Sequence, residues 1–221
     1  MLVQDIMQHP VITIQPADAI GDAYQTMRDK TIRHLPVVDV ADGLIGVVTD
    51  RDLRYATSDL HPSPVEAQSP VRSAMTPHPI TAGLLDPVEE AARILRAHSI
   101  GCLPVLDGDD LVGIVTVTNL LDAVIRLTGL QKPGARLAVS LSDEPGQMAG
   151  LTSRVAEEGL DIRSVLTYYE DEVEPVMEAS SGNGESRLRV ILRLDTIDIR
   201  PLAEALRTEG FDVVWPVPKP A

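Results

Sequence analysis

Two pairs of polar residues with the same spacing could hold a small ligand. Thr49 precedes Asp52 by three residues, and Thr116 precedes Asn119 by three residues. The threonines end the apolar runs LIGVV and LVGIV, so each pair is expected where a strand passes into a helix. A carboxylate at such a position can accept hydrogen bonds from both hydroxyls of a ribose. The first pair therefore predicts a site for a ribose-containing ligand.

Both pairs lie within a repeat that fills the first half of the chain. Leu35-Pro36-Val37 aligns with Leu103-Pro104-Val105 at an offset of 68 residues, and Thr49 aligns with Thr116 at an offset of 67. Apolar spacing and turn-forming residues predict the same order of elements, β-α-β-β-α, in each copy. The two polar pairs are therefore expected to stand at equivalent places in two similar folding units.

The limits of the two copies follow from this alignment. We predict one copy at residues 1–60 and another at 71–130, joined by a proline-rich linker at 61–70. Asp18 and Asp86 are the expected N-caps of the first helix in each copy. Neither copy is long enough to bury a comfortable core alone, so the two are expected to share a face.

The two copies differ around their polar pairs. Gly46 and Gly113 lie in the preceding strands, where a flat base would need close approach to the backbone. In the second copy Asn119 keeps an acceptor but carries no charge, and Gly101 stands where the first copy has Arg33. The first copy holds the cations Arg28, Lys30, Arg33, Arg51 and Arg54. We therefore expect one good site and one that is weaker or empty.

The pattern changes over residues 135–217. Alternating apolar runs and helical spacing predict the order β-α-β-β-α-β, which is ferredoxin-like. Between the first strand and helix, Asp143 is expected to cap the helix and Gly146 to make a tight turn. The acidic stretch from Glu170 to Glu185 predicts an exposed loop. Because a four-stranded sheet has edges that are safest when paired, we expect a homodimer.

Composition excludes several classes of function. The chain carries 33 acidic against 19 basic residues, a net charge of −14, so nucleic acid is not an expected partner. The single cysteine, Cys102, fits a reducing compartment, and no signal peptide or membrane-spanning run is visible, so we predict a cytoplasmic protein. Catalytic motifs and metal-ligand spacings are absent, which predicts that it is not an enzyme and binds no metal.

The repeat resembles the CBS domain family, and the pair of copies resembles a Bateman module. The resemblance lies in LIGVVTDRD and LVGIVTVTN. It implies a two-fold module that binds adenosine-containing ligands between the repeats and relays their occupancy to an attached domain. For the first site it implies contacts from Thr13, Arg33, His34, Pro36, Thr49 and Asp52. For the second, weaker site it implies contacts from Thr81, Pro104, Thr116 and Asn119.

The segment at 135–217 resembles the ACT domain family, through the SDEPGQMAGL turn and the later GLDIRSV. This resemblance implies dimerisation and an amino-acid effector site near Asp143, Gly146 and Gln147. A CBS pair followed by an ACT domain is similar to the acetoin-utilisation protein B-like regulators.

These observations predict an α/β (α+β) regulatory sensor. It would bind an adenine nucleotide such as AMP or ATP in the CBS pair, need no cofactor, and signal through a dimerising ACT domain to a regulated protein partner. The alternative is a ligand-free oligomerisation scaffold, in which Thr49 and Asp52 only cap a helix. The neutral Asn119 favours this alternative.

Overall fold

A computed structural model describes residues 1–41, 43–170 and 187–217. The chain divides into two compact units, Met1–Ala123 and Val124–Ala221. The division falls inside a helix, whereas the sequence predicts a break between residues 130 and 135. None of the helices in these described ranges is both long enough and apolar enough to cross a membrane.

The first unit contains the two repeats. Its helices are α1 (Ile20–Lys30), α2 (Asp50–Ala56), α3 (Val88–His98) and most of α4 (Val117–Leu127). Its strands are β1 (His34–Asp39), β2 (Gly43–Thr49), β3 (Thr76–Pro77), β4 (Ala82–Gly83), β5 (Cys102–Asp107) and β6 (Asp110–Thr116). They form two three-stranded sheets in the orders β1-β2-β3 and β4-β5-β6.

The beginning of each repeat belongs to the core of the other repeat. Val3 and Ile6, in and next to a one-turn 3₁₀ helix, are buried among apolar residues of the second repeat such as Leu103. Val71 in the matching 3₁₀ helix is fully buried in the core of the first repeat, which contains Leu35. The two repeats have therefore exchanged their first segments, which explains why neither copy could close its core alone.

Two strand glycines make room for the exchanged segments. A Cβ atom on Gly46 would lie 2.7 Å from Sδ of Met75, and one on Gly113 would lie 2.5 Å from Sδ of Met7. The protein itself makes a close approach to each strand, because the first segment of the opposite repeat crosses the strand at its glycine. Contact of a base with this backbone stays a prediction.

The expected helix caps also differ from the structure. The N-caps of α1 and α3 are Ala19 and Pro87, and neither makes a side-chain cap bond. Asp18 instead accepts a hydrogen bond from the backbone N–H of Gln15 at 2.8 Å, and Asp86 accepts the equivalent bond from Gly83 at 2.8 Å. Both carboxylates thus stabilise the turn before the helix, because each accepts from an N–H three residues earlier.

The second unit has the predicted order of elements. It contains β7 (Ala135–Ser142), α5 (Gln147–Glu157), β8 (Ile162–Tyr169), β9 (Arg187–Leu194), α6 (Arg200–Thr208) and β10 (Asp212–Trp215). The strands form one sheet in the order β10-β7-β9-β8, with antiparallel neighbours. One face of the sheet packs against α5 and α6 through residues such as Leu137, Leu151 and Leu202. The predicted acidic loop lies almost wholly outside the described residues.

Candidate functional site

Thr49 and Asp52 form a capping box at the start of α2. The backbone N–H and the hydroxyl of Thr49 both donate to Oδ2 of Asp52, at 2.9 and 2.8 Å. The backbone N–H of Asp52 donates back to Oγ1 of Thr49 at 3.2 Å. Among the described residues, Oδ1 of Asp52 has no hydrogen-bond partner. Because no buried side-chain N or O atom in the described part lacks a partner, this oxygen is accessible.

A first cleft, of about 620 Å³, opens in front of this capping box. The first repeat contributes Thr49, Asp52 and the cations Arg33 and Arg51 to its wall. The second repeat contributes the residues that follow its exchanged segment, Thr76, His78, Pro79 and Ile80, and the stretch Ser99 to Cys102. This cleft therefore combines an accessible carboxylate oxygen with two guanidinium groups and an apolar wall.

Charges in the first cleft leave two arginines available to a ligand. Asp50 forms an ion pair with Arg54, with 2.9 Å between Oδ2 and Nη2. Neither Arg33 nor Arg51 forms an ion pair with any of the residues that the structure describes, and both are exposed. An anionic group entering this cleft would meet these cations.

A second cleft, of about 590 Å³, has the equivalent place in the other repeat. Thr116 and Asn119 stand at the start of α4 and form the same contacts as the first pair. Gln8 and Ile12 of the first repeat complete the wall. The exchange of first segments therefore gives each cleft residues from both repeats.

Arg33, His34 and Gly101 line both clefts. The imidazole of His34 lies against Gly101, where an added Cβ atom would be 2.6 Å from Nε2. Burial lowers the pKa of His34, and the nearby Asp50 and Asp52 oppose this shift. The half-buried imidazole of His34, which lines both clefts, thus has room only because residue 101 has no side chain.

Stability of the protein should fall as the pH drops below about 6.5, the ordinary pKa of histidine. His34 has a lower pKa in the folded protein, so the unfolded chain binds the proton more readily and acid favours unfolding. Melting temperatures measured between pH 7.5 and pH 5 should decline less in His34→Gln than in the original protein. The other histidines are common to both proteins, so equal declines would exclude a contribution from His34.

Cys102 also lines the first cleft but is almost fully buried, with 6% of its surface exposed. Burial, with a smaller contribution from Asp52, raises the pKa of Cys102 to about 12. The thiol therefore stays protonated at neutral pH and acts as a small core residue. Within the described ranges, no cluster of three or more His, Cys, Asp or Glu side chains could hold a metal ion.

Most of the residues predicted for the first site lie together. Arg33, His34, Thr49 and Asp52 all line the first cleft. Pro36 is buried in β1, and Thr13 is exposed outside the residues that line the two clefts. The first cleft is instead lined by His78 to Ile80, the segment of the second repeat that corresponds to the chain just before Thr13. Sequence reasoning missed them because it took the contact residues of each site from a single repeat.

The residues predicted for the second site divide in the same way. Thr116 and Asn119 line the second cleft. Pro104 is buried in β5, and Thr81 lines a different cleft with Asp109 and Asp110. Ile12 of the first repeat occupies the second cleft instead. Contact of any of these side chains with a ligand stays a prediction.

The predicted effector turn of the second unit joins β7 to α5. Gly146 is the N-cap of α5 and has a φ of 95°, a conformation that favours glycine. Asp143 is exposed, and the expectation that it caps the helix is wrong, because α5 has no side-chain cap bond at its N-cap. Gln147 is the first residue of α5. An amino-acid ligand at this turn stays a prediction.

Two similar repeats with exchanged first segments and paired clefts define a tandem-repeat module of two-fold design. The chain belongs to the CBS domain family, which matches residues 3–59 and 71–126. The match ends at residue 126, so the ACT family of the second unit stays a prediction.

Solved structures share this module. A provisionally assigned acetoin utilization protein (AcuB) from Vibrio cholerae is 32% identical, with a TM-score of 0.51 over 59% of this chain and 95% of that one. The CBS domain pair of protein MJ0100, in complex with 5′-methylthioadenosine and S-adenosyl-L-methionine, is 31% identical, with a TM-score of 0.50 over 60% and 98%. CBSX2 in complex with AMP is 27% identical, with a TM-score of 0.51 over 57% and 97%. The predicted AcuB-like resemblance is therefore supported for the CBS pair.

Proposed function

We propose that this protein is a regulatory sensor that binds an adenine nucleotide in the first cleft. The observation that carries the proposal is the capping box of Thr49 and Asp52, which holds the carboxylate in place and leaves Oδ1 accessible. The hydroxyls of a ribose can donate to this oxygen, and Arg33 or Arg51 can pair with a phosphate. The apolar side chains of Pro79 and Ile80 suit the adenine ring.

Related structures support the class of ligand. CBSX2 was crystallised with AMP, and the CBS pair of MJ0100 with two adenosine derivatives. The protein here shares their module and has a carboxylate and two cations in the first cleft. Because the cations suit a phosphate, we propose AMP or a related adenine nucleotide rather than an uncharged nucleoside.

In this proposal, helix α4 connects the clefts to the rest of the chain. Helix α4 begins beside Thr116 in the second cleft and ends at Leu127 in the second unit. Ligand occupancy would change the equilibrium between arrangements of the repeats, and α4 would connect this change to the second unit. We further propose that the second unit is an ACT domain that dimerises and passes the change to a regulated partner protein, without itself catalysing a reaction.

A thermal-shift panel of AMP, ADP, ATP, S-adenosylmethionine and adenosine tests the ligand proposal on the full chain. A nucleotide at about a hundred times its dissociation constant should add about 2.7 kcal/mol to the free energy of unfolding and raise the melting temperature. GMP serves as the control for a phosphate on a different base. An unchanged melting temperature with every adenosine compound would contradict the proposal.

The capping box also favours a second candidate, a ligand-free oligomerisation scaffold. Thr49 and Asp52 do cap α2, so their presence is accounted for without any ligand. This candidate predicts that the purified protein carries no adenine absorbance and that its oligomeric state, measured by light scattering, is the same with and without nucleotides.

A further inference from the structure

The second cleft offers a hydrogen-bond donor at the place where the first cleft offers an acceptor. The backbone N–H of Thr116 lies 2.9 Å from the side-chain oxygen of Asn119, and the Thr116 hydroxyl lies 2.7 Å from the same oxygen. A backbone N–H can only donate, so the atom that faces it must be the amide oxygen. The amide NH₂ of Asn119 is left over, and it carries two donors.

The equivalent contacts in the first cleft leave the opposite chemistry. There Oδ2 of Asp52 accepts both bonds from Thr49, and the remaining atom is Oδ1, an anionic acceptor. Neither Oδ1 of Asp52 nor Nδ2 of Asn119 has a partner among the described residues, and both are accessible. The neutral residue therefore does more than weaken a ribose contact, because it reverses the direction of the hydrogen bond.

The other described residues that line the second cleft also lack acidic side chains. Val117 and Thr118 stand where the first cleft has Asp50 and Arg51. None of the described residues lining the second cleft carries a carboxylate, while Arg33 supplies a cation. In a chain with a net charge of −14, this wall is unusual in presenting donors and a positive charge without an acidic side chain.

We propose that the second cleft selects an adenosine compound whose ribose carries a phosphate on its 2′ or 3′ oxygen. Such a group has no hydroxyl proton to donate and is anionic, so the Asp52 carboxylate of the first cleft repels it. The amide of Asn119 can donate to it, and Arg33 can pair with its charge. Dinucleotide-binding folds make the same distinction, with an acidic residue for a free 2′-hydroxyl and an arginine for a 2′-phosphate. This inference rests on the proposed binding of adenosine compounds.

Calorimetric titration of the full chain with adenosine 2′,5′-bisphosphate, adenosine 3′,5′-bisphosphate and 5′-AMP tests the selection. At least one bisphosphate should bind the original protein, and Asn119→Asp should weaken that binding about tenfold or more. The variant is well matched, because Asp52 already shows that a carboxylate makes the same capping box with a threonine.

The outcomes separate the inference from the proposed function. Binding of 5′-AMP without binding of either bisphosphate overturns the inference and leaves the proposed function standing. Binding of a bisphosphate with equal affinity in Asn119→Asp also overturns the inference alone. If neither 5′-AMP nor a bisphosphate binds, the inference fails, and the thermal-shift panel with the other adenosine compounds decides the proposed function. Binding of a bisphosphate that Asn119→Asp abolishes supports the inference, whatever the result with 5′-AMP.

Discussion

Replacing Asp52 with asparagine should weaken AMP binding by about 10- to 100-fold, the loss expected for a hydrogen bond to a charged group. The change removes the anionic acceptor from the first cleft and leaves an amide NH₂ in its place. It should not unfold the protein, because Asn119 forms the same capping box with Thr116 that Asp52 forms with Thr49. Titration calorimetry with AMP measures the affinity, and thermal unfolding without ligand measures the stability.

Asparagine is a sharper test at this position than alanine. Asp52→Ala removes the capping box as well as the ligand contact, which costs about 1 kcal/mol of stability and confuses the two roles. Asn119→Asp makes the opposite change, from an amide to a carboxylate, at the equivalent position of the second cleft. Equal AMP affinity in Asp52→Asn and the original protein would show that Asp52 does not contact the ligand and has only a structural role in the capping box.

Valine at Gly46 or Gly113 should destabilise the first unit by about 1–3 kcal/mol, the usual cost of overpacking. A side chain on Gly46 would collide with Met75 and approach the backbone oxygen of Thr76, at 3.1 Å from its Cβ. Because Thr76 lines the first cleft, the displaced segment should also lower the affinity for AMP. Thermal unfolding and AMP titration of Gly46→Val measure both effects.

Gly150→Val is the matched control for this substitution. An added Cβ at Gly150 in α5 meets no atom within 4 Å, and the residue lies in an ordinary helix of the second unit. The same chemical change should therefore leave stability nearly unchanged there. If Gly46→Val were as stable as Gly150→Val, the exchanged segment would not press against the strand as the structure indicates.

The sequence was sufficient to predict the helices and strands, but not which repeat core each first segment joins. The strands around Leu35 and Leu103 and the turn at Gly146 follow from local patterns of apolar and turn residues. The exchange of the first segments does not, because it depends on long-range packing of Val3 and Val71 into opposite cores. Local patterns assign such residues to the copy in which they stand.

This difference also explains which of the predicted site residues line the clefts. Thr49 and Asp52 line the first cleft together, because three residues of chain fix their geometry. Thr13, which the family resemblance implied for this site, does not line the first cleft, whereas Pro79 and Ile80 of the other repeat do. The orientation of the amide of Asn119 also required coordinates, since only its hydrogen-bond partners show that the NH₂ group, and not the oxygen, is left without one among the described residues.

The exchange of first segments has a consequence for how such a molecule can arise and diverge. A lone repeat could complete its core only by receiving the first segment of another copy, so a protein with one repeat would have to work as a dimer of identical halves. In such a dimer every substitution would change both clefts at once. A chain that carries both repeats is free of this constraint, so Asp52 and Asn119 can differ while their threonines and surrounding strands stay alike.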